Sequence, residues 1–230
     1  MKNLKIVCLA VFAAMVLFSC KDETGEFVEQ LYTNNQKELA IKACLKVSAD
    51  TASAHLFVPN GFYAYNDSTY QIDFVPLQNT LFAVLRENGY GNMVDSLILY
   101  VNRLAESCGG QVTPSLKAAV DSMKILDYDA LIDGGGDSFT RYYEMYEYKY
   151  LKSAIQVPVS VRMELYNVNG TWALMMNKYI QFTSTPLNFD LQNYIVETML
   201  SGILEEMSLE EFNIRTDVGH RTEDMDALGD

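Results

Sequence analysis

The stretch MVDSLILYVNRLAESC, residues 93–108, decides how the chain is read. Val94, Ile98, Val101, Ala105 and Cys108 recur at alternating steps of four and three, which lines them along one side of an α-helix, whereas a strand would repeat every second residue. Such a stripe has to pack on a similar surface, and the pattern continues in both directions. Upstream, Glu38, Lys42 and Lys46 recur every four residues with Ala40, Cys44 and Val47 on another side, so a core helix is expected from about Glu26 to Ala49. Downstream, Gly109-Gly110 reads as a helix end, and Thr113-Pro114 as cap and first turn of a helix from Ser115 to about Lys124. Asp127 reads as the cap of a short helix reaching Asp133.

After Gly134-Gly135-Gly136, Asp137 is expected to cap a long helix with Phe139, Tyr143, Tyr146 and Tyr150 on its packed face and Tyr142 and Tyr148 more exposed. Val157-Pro158 should interrupt or bend that helix before a turn at Asn167 to Gly170. Helical spacing returns from Trp172 to Ile180 and from Leu191 to Ile203. Ser208 with Glu211 fits a capping box that would start a terminal helix, and the acidic tail from Asp217 is expected to fray. Between Phe57 and Pro76 the period changes, with Tyr70, Ile72 and Phe74 alternating with Gln71 and Asp73. The fold class expected is all-α: one multi-helix, bundle-like domain with a short β-hairpin or extended arm near residues 62–75.

Of 230 residues 49% are hydrophobic and 20% charged, enough apolar surface to bury a core and too little charge for a disordered acidic chain. Lys and Arg number 17 against 30 Asp and Glu, a formal net charge of −13. That balance speaks against nucleic acid as a partner, because phosphate binding depends on Lys and Arg releasing counterions.

The N-terminus carries an address. Lys2 and Lys5 precede an apolar run from Ile6 to Phe18, shorter than the ~20 residues a membrane-spanning helix needs. The run ends in Leu17-Phe18-Ser19-Cys20, which resembles the lipobox of bacterial lipoproteins. The expected organisation is a signal peptide over residues 1–19, a lipidated Cys20 with tether over 20–25, and a helical domain over 26–230. The resemblance implies a membrane partner through acyl chains on Cys20, and a location as an outer-membrane lipoprotein of the bacterial envelope. Lys21-Asp22-Glu23 is similar to a surface-export tag of some lipoproteins. With Cys8 in the leader and Cys20 as anchor, Cys44 and Cys108 remain, and an oxidising compartment permits either a disulfide between them or two buried thiols.

A wider resemblance follows from ordered motifs: Asn60-Gly61-Phe62, Ile72-Asp73-Phe74-Val75-Pro76, Asn102-Arg103-Leu104-Ala105-Glu106, Gly134 to Tyr143, Asp190 to Val196, and Glu211 to Arg215 with Arg221-Thr222. Together they resemble the bacterial domain-of-unknown-function family 4197 over nearly all of the chain after the leader. The resemblance implies a helical fold and an envelope setting and supplies no activity. The third glycine, the Val168 to Trp172 region and the many tyrosines depart from the family pattern.

Asn102, Arg103 and Glu106 share one flank of the 93–108 helix, so Arg103 could clamp a carboxylate with its two-pronged donor set. With Arg215 they form the ligand-binding candidate; the competing reading is a polar network tying this helix to another through Glu211 or Arg215. Gly134 to Gly136 could form an anion nest, but a capping Asp137 would take its donors. Asp127, Asp129, Asp133 and Asp137 lack the EF-hand loop's pattern, since Leu131 and Ile132 stand where an acid or amide and a glycine belong. No zinc spacing, nucleophile elbow or nucleotide loop occurs, so no catalytic residue, metal or cofactor is assigned. His55 reads as a capping or surface histidine. The function expected is a lipid-anchored binding or structural module for a protein or small molecule; the alternative is an envelope enzyme, hydrolase-like, using a carboxylate/Arg site in a helical cleft.

Overall fold

Thr33 and Gln36 start the first helix by a reciprocal cap: the Thr33 hydroxyl accepts from the Gln36 amide at 3.3 Å, and the Gln36 side chain accepts from the Thr33 amide at 2.9 Å. Helix α1 (Asn34–Leu56) then buries Ile41, Cys44, Leu45, Ala52 and Leu56. The computed structural model describes residues 32–229; the leader, lipobox and tether expected at residues 1–25 lie outside the described residues. Among the described residues the chain is mainly helical, with no strand.

A short helix, α2 (Gly61–Ala64), follows Asn60 in a left-handed conformation. Gly61 is pressed on the end of α1, where a Cβ would lie 2.2 Å from the Leu56 carbonyl oxygen. The region expected as a hairpin or extended arm is an arm. Tyr65–Ser68 form a 3-10 turn, 71–74 are irregular and end on Phe74 in a left-handed conformation, and Val75–Leu77 make a second 3-10 turn with Pro76 in its first positions. The alternating pattern forms no hairpin because Ile72 bonds to the Asn102 side chain instead of to a second strand. A π-turn over Gln78–Phe82 leads into α3 (Ala83–Glu87).

Helix α4 (Gly91–Glu106) matches the 93–108 stripe, and Val94, Val101, Ala105 and Cys108 are all buried. Helix α4 ends just before Gly109-Gly110, as expected, and the same pair opens α5 (Gly109–Ser122). Gly109 serves packing, since a Cβ there would meet Phe57 Cβ at 2.5 Å. Thr113 and Pro114 lie inside that helix, and the Thr113 hydroxyl donates to Ser53 at 2.8 Å rather than capping. Asp127 does cap α6 (Tyr128–Ile132), accepting from the Ala130 amide at 3.0 Å.

Helix α7 (Ser138–Leu165) is unbroken through the buried Pro158, so the expected interruption does not occur. Its core face passes through Phe139, Tyr143, Leu151, Ile155, Val159 and Met163. Steps of four turn the buried side about 40° per turn around the helix. This drift carries Tyr146 and Tyr150 out to 50% and 47% exposure, against expectation. Tyr142 and Tyr148 are instead half-buried, bonded to the Lys124 carbonyl and to Glu197.

Tyr166 and the left-handed Asn167 make a two-residue link to α8 (Val168–Thr183), which begins earlier than its spacing suggested. Helix α9 (Leu191–Thr216) is also continuous: the capping-box signal at Ser208 is overridden because Met207 and Ile214 stay buried along the same core face. The tail does not fray among the described residues. It forms short turns at Val218–His220 and Glu223–Leu228, buries Met225 against the body, and is held by Arg221 donating to the Ile214 and Arg215 carbonyls, both at 2.9 Å.

Helix α9 packs between α1 and α7, with α5 alongside both of those, so the core runs the length of the bundle. Between α7 and α9, Glu197 accepts from Lys152 and Tyr148, and Lys152 holds its carboxyl below the ordinary carboxylate value. A lowered folded value gives stability that is present above the unfolded carboxyl's pKa and lost as the pH falls through the lowered one. Glu197→Gln is therefore expected to melt below wild type at neutral pH, with the difference vanishing on acidification past that window, as read by thermal melts across pH.

Candidate functional site

The four sequence-nominated ligand residues fall into two separate clusters. In the first, Asn102 is fully buried on α4 and grips the arm through both ends of its amide. Its oxygen accepts from the Ile72 amide at 2.9 Å, and its nitrogen donates to the Ile72 and Ile98 carbonyls at 3.1 and 2.8 Å. One turn on, Glu106 is 7% exposed; one of its oxygens accepts from the Tyr63 amide at 3.2 Å and the other from Arg103 at 2.6 Å. Arg103 also donates to the Asn60 side chain at 2.6 Å and lies over the Tyr63 ring at 5.4 Å. These three residues clamp the arm to α4 and do not reach Glu211 or Arg215.

Arg215 belongs to the second cluster, at the Gly134 to Gly136 loop. Its guanidinium donates to the carbonyls of Ile132, Gly134 and Gly135 at 2.5, 2.8 and 2.8 Å, and to the Ser138 hydroxyl at 2.5 Å. It lies over the Phe139 ring at 4.6 Å. The glycine loop thus turns carbonyls toward a cation and is no anion nest. Asp137 does not cap α7 either; it pairs with Arg141. The cap comes from Glu211, fully buried on α9, whose two oxygens accept from the Phe139 and Thr140 amides at 2.9 and 2.7 Å. Burial pushes the Glu211 carboxyl up, and those amides and Arg215 pull it back only in part.

The structure adds a third cluster that sequence reading left unpartnered. His55, 38% exposed at the end of α1, meets the Glu206 carboxylate of α9 through Nδ1, and Glu206 itself is 7% exposed. The Tyr65 hydroxyl lies 2.9 Å from the same ring nitrogen, and the Tyr70 hydroxyl donates to the other Glu206 oxygen at 2.6 Å. Burial and the adjacent carboxylate push both phenols above their ordinary value. The rings stack in file, with His55 to Tyr65 centroids 4.8 Å apart and Tyr65 to Tyr70 6.1 Å. A buried carboxylate that fixes an imidazole in one orientation is the positioning half of an acid–base device. Here it also holds the arm, through Tyr65 and Tyr70, to α9.

Asp127 and Asp129, from the acidic run, serve as a cap and as the pairing group of Lys37. Cys44 and Cys108 are free and fully buried, not bridged; burial raises both thiols, Cys108 to about 11. They are inert core residues.

A groove of about 560 Å³ runs along the outer face of α1. Leu39, Ala43 and Val47 give it an apolar lining, and Glu38, Lys42, Lys46 and Asp121 line it together with Thr222 and Asp224 of the tail. Lys42 pairs with Glu38 at 2.8 Å, and Lys46 pairs with Asp121 at 2.5 Å. The volume falls in the range of small-molecule sites, and aliphatic groups rimmed by a few charges are the usual lining. Its signal was present in the sequence as the Leu39, Ala43, Val47 line beside the lysines; what could not be read was the tail returning to line it through Thr222 and Asp224.

Fold and clusters together define an all-α domain whose buried polar groups lock irregular segments onto long helices. The family model described as "Protein of unknown function (DUF4197)" matches residues 31–226, and the chain belongs to that family. No curated protein and no solved structure matches the chain significantly.

Proposed function

We propose that this chain is a lipid-anchored protein of the bacterial cell envelope whose helical body binds a small molecule or a protein segment without chemistry, in the groove along α1. The observation that carries the reading is Leu17-Phe18-Ser19-Cys20 at the end of a short apolar run behind two lysines. Supporting the non-catalytic part, the buried carboxylates Glu106, Glu206 and Glu211 are all engaged by the chain's own groups. The groove, by contrast, offers open volume with apolar and charged walls. A lipid anchor needs more than one acyl chain to hold stably, and the lipobox chemistry supplies several.

The test is fractionation and intact-mass analysis of the chain from its native host. Wild type is expected in the membrane fraction, starting at Cys20 and carrying acyl mass; Cys20→Ser is expected in the soluble fraction or unprocessed. An uncleaved leader or a bare Cys20 thiol in wild type overturns the reading.

One observation favours a second reading, an envelope hydrolase: the His55–Glu206 pair with two tyrosine hydroxyls. On that reading His55→Gln abolishes turnover of ester or amide probes while leaving the melting temperature near wild type.

A further inference from the structure

The outer face of α7 carries a second apolar stripe, distinct from its core face. Tyr146, Tyr150, Val157, Val161 and Leu165 are 50%, 47%, 65%, 57% and 76% exposed. Their spacing of four, seven, four and four keeps them within a sector roughly 100° wide along about 28 Å of helix. On ordinary side-chain areas the exposed portions come to roughly 500 Å², the size at which an apolar patch marks an interaction surface.

We propose that this stripe is where a second copy of the same chain docks, α7 against α7 and antiparallel, about a twofold axis beside Val157. Three features select that occupant. Residues 153–161 contain no charged side chain, in a protein with net charge −13, so the centre of the seam brings no like charges together. An antiparallel pairing centred between residues 157 and 158 sets Tyr150 against the partner's Leu165 and Ala154 against the partner's Val161, large on medium and small on medium. The same pairing brings Lys149 to within one turn of the partner's Glu164 on the same side of the seam, and twofold symmetry makes this complementary contact twice. Lys149 and Glu164 are exposed and form no ion pair among the described residues. Two copies remove on the order of 1,000 Å² of apolar surface, at the lower bound for a specific interface, so the pair is weak in solution and gains where copies are concentrated.

The test is sedimentation of the full chain in mild detergent with micelles in large excess, combined with a charge swap. Lys149→Glu and Glu164→Lys are each expected to weaken self-association about tenfold, because attraction becomes repulsion at two symmetric contacts, and the double variant to restore it. Shared micelles would not reproduce that pattern. In parallel, Val157→Cys is expected to cross-link to itself under mild oxidation much faster than Asn177→Cys on α8. Both variants keep the same native cysteines, of which Cys44 and Cys108 are fully buried. A monomer at all concentrations, single charge variants indistinguishable from wild type, or equal cross-linking at both positions overturns the proposal, as does cross-linking of position 157 only to a different protein.

Discussion

Glu211→Ala is expected to lower the unfolding free energy by about 3–5 kcal/mol, enough to consume a large part of an ordinary domain's stability. Three groups lose their acceptor at once. The Phe139 and Thr140 amides, bonded to Glu211 at 2.9 and 2.7 Å, sit at the buried start of α7, where water cannot replace the carboxylate. Arg215, 3.3 Å from the same carboxylate, keeps its loop carbonyls but is left without its negative neighbour. For a chain of this size the loss corresponds to a melting temperature lower by roughly 10 °C. Asp137→Ala at the adjacent position is expected to change little, because the Asp137 carboxylate pairs with Arg141 and caps nothing. Thermal melts of the two variants check the contrast; equal effects would return the capping role to Asp137.

Asn102→Asp is the second large effect, and it isolates one atom. The oxygen that accepts from the Ile72 amide is retained. The amide nitrogen that donates to the Ile72 and Ile98 carbonyls, at 3.1 and 2.8 Å, becomes an oxygen facing two oxygens in a fully buried site. A buried acceptor against acceptors with no donor is expected to cost about 3 kcal/mol or more at neutral pH. The new carboxyl would be protonated more readily folded than unfolded, and its proton can serve one of the two carbonyls. A folded value raised above the unfolded one means stability is best below the unfolded pKa and falls as the pH rises through the folded value. The variant should therefore regain part of its melting temperature in acid, on a background where wild type does not. Asn102→Leu lacks the proton and should show no such recovery.

Both variants probe features the sequence revealed unevenly. Helix α4 was legible because its apolar positions keep helical period over four turns and its stripe is what the core needs. The same local logic misplaced Glu211. Ser208 and Glu211 satisfy a capping box by spacing, but the apolar face containing Met207 and Ile214 runs through that point and keeps α9 whole, freeing Glu211 to cap another helix. Gly109-Gly110 reads as a helix end, and α4 does stop just before it; what the sequence left hidden is that the same pair opens α5, with Gly109 required by the close approach of Phe57. Pro158 stays inside α7, in the buried part of that helix. Asn102, Arg103 and Glu106 could be singled out as a shared flank, yet their targets, Ile72, Asn60 and Tyr63, lie 30 to 43 residues away and leave no spacing to read. His55 and Glu206 are separated by 151 positions, so their meeting belongs to tertiary structure alone.

One feature of α9 bears on how the molecule is made. The arm is fastened to it through Glu206, and the start of α7 through Glu211, so two segments formed early await fastenings on the final long helix. A ribosome releases the chain from its first residue onward. Until residues 191–216 have emerged, the arm is held only by Asn102 and Glu106 of α4, and the glycine turn waits for the Arg215 guanidinium that gathers its carbonyls.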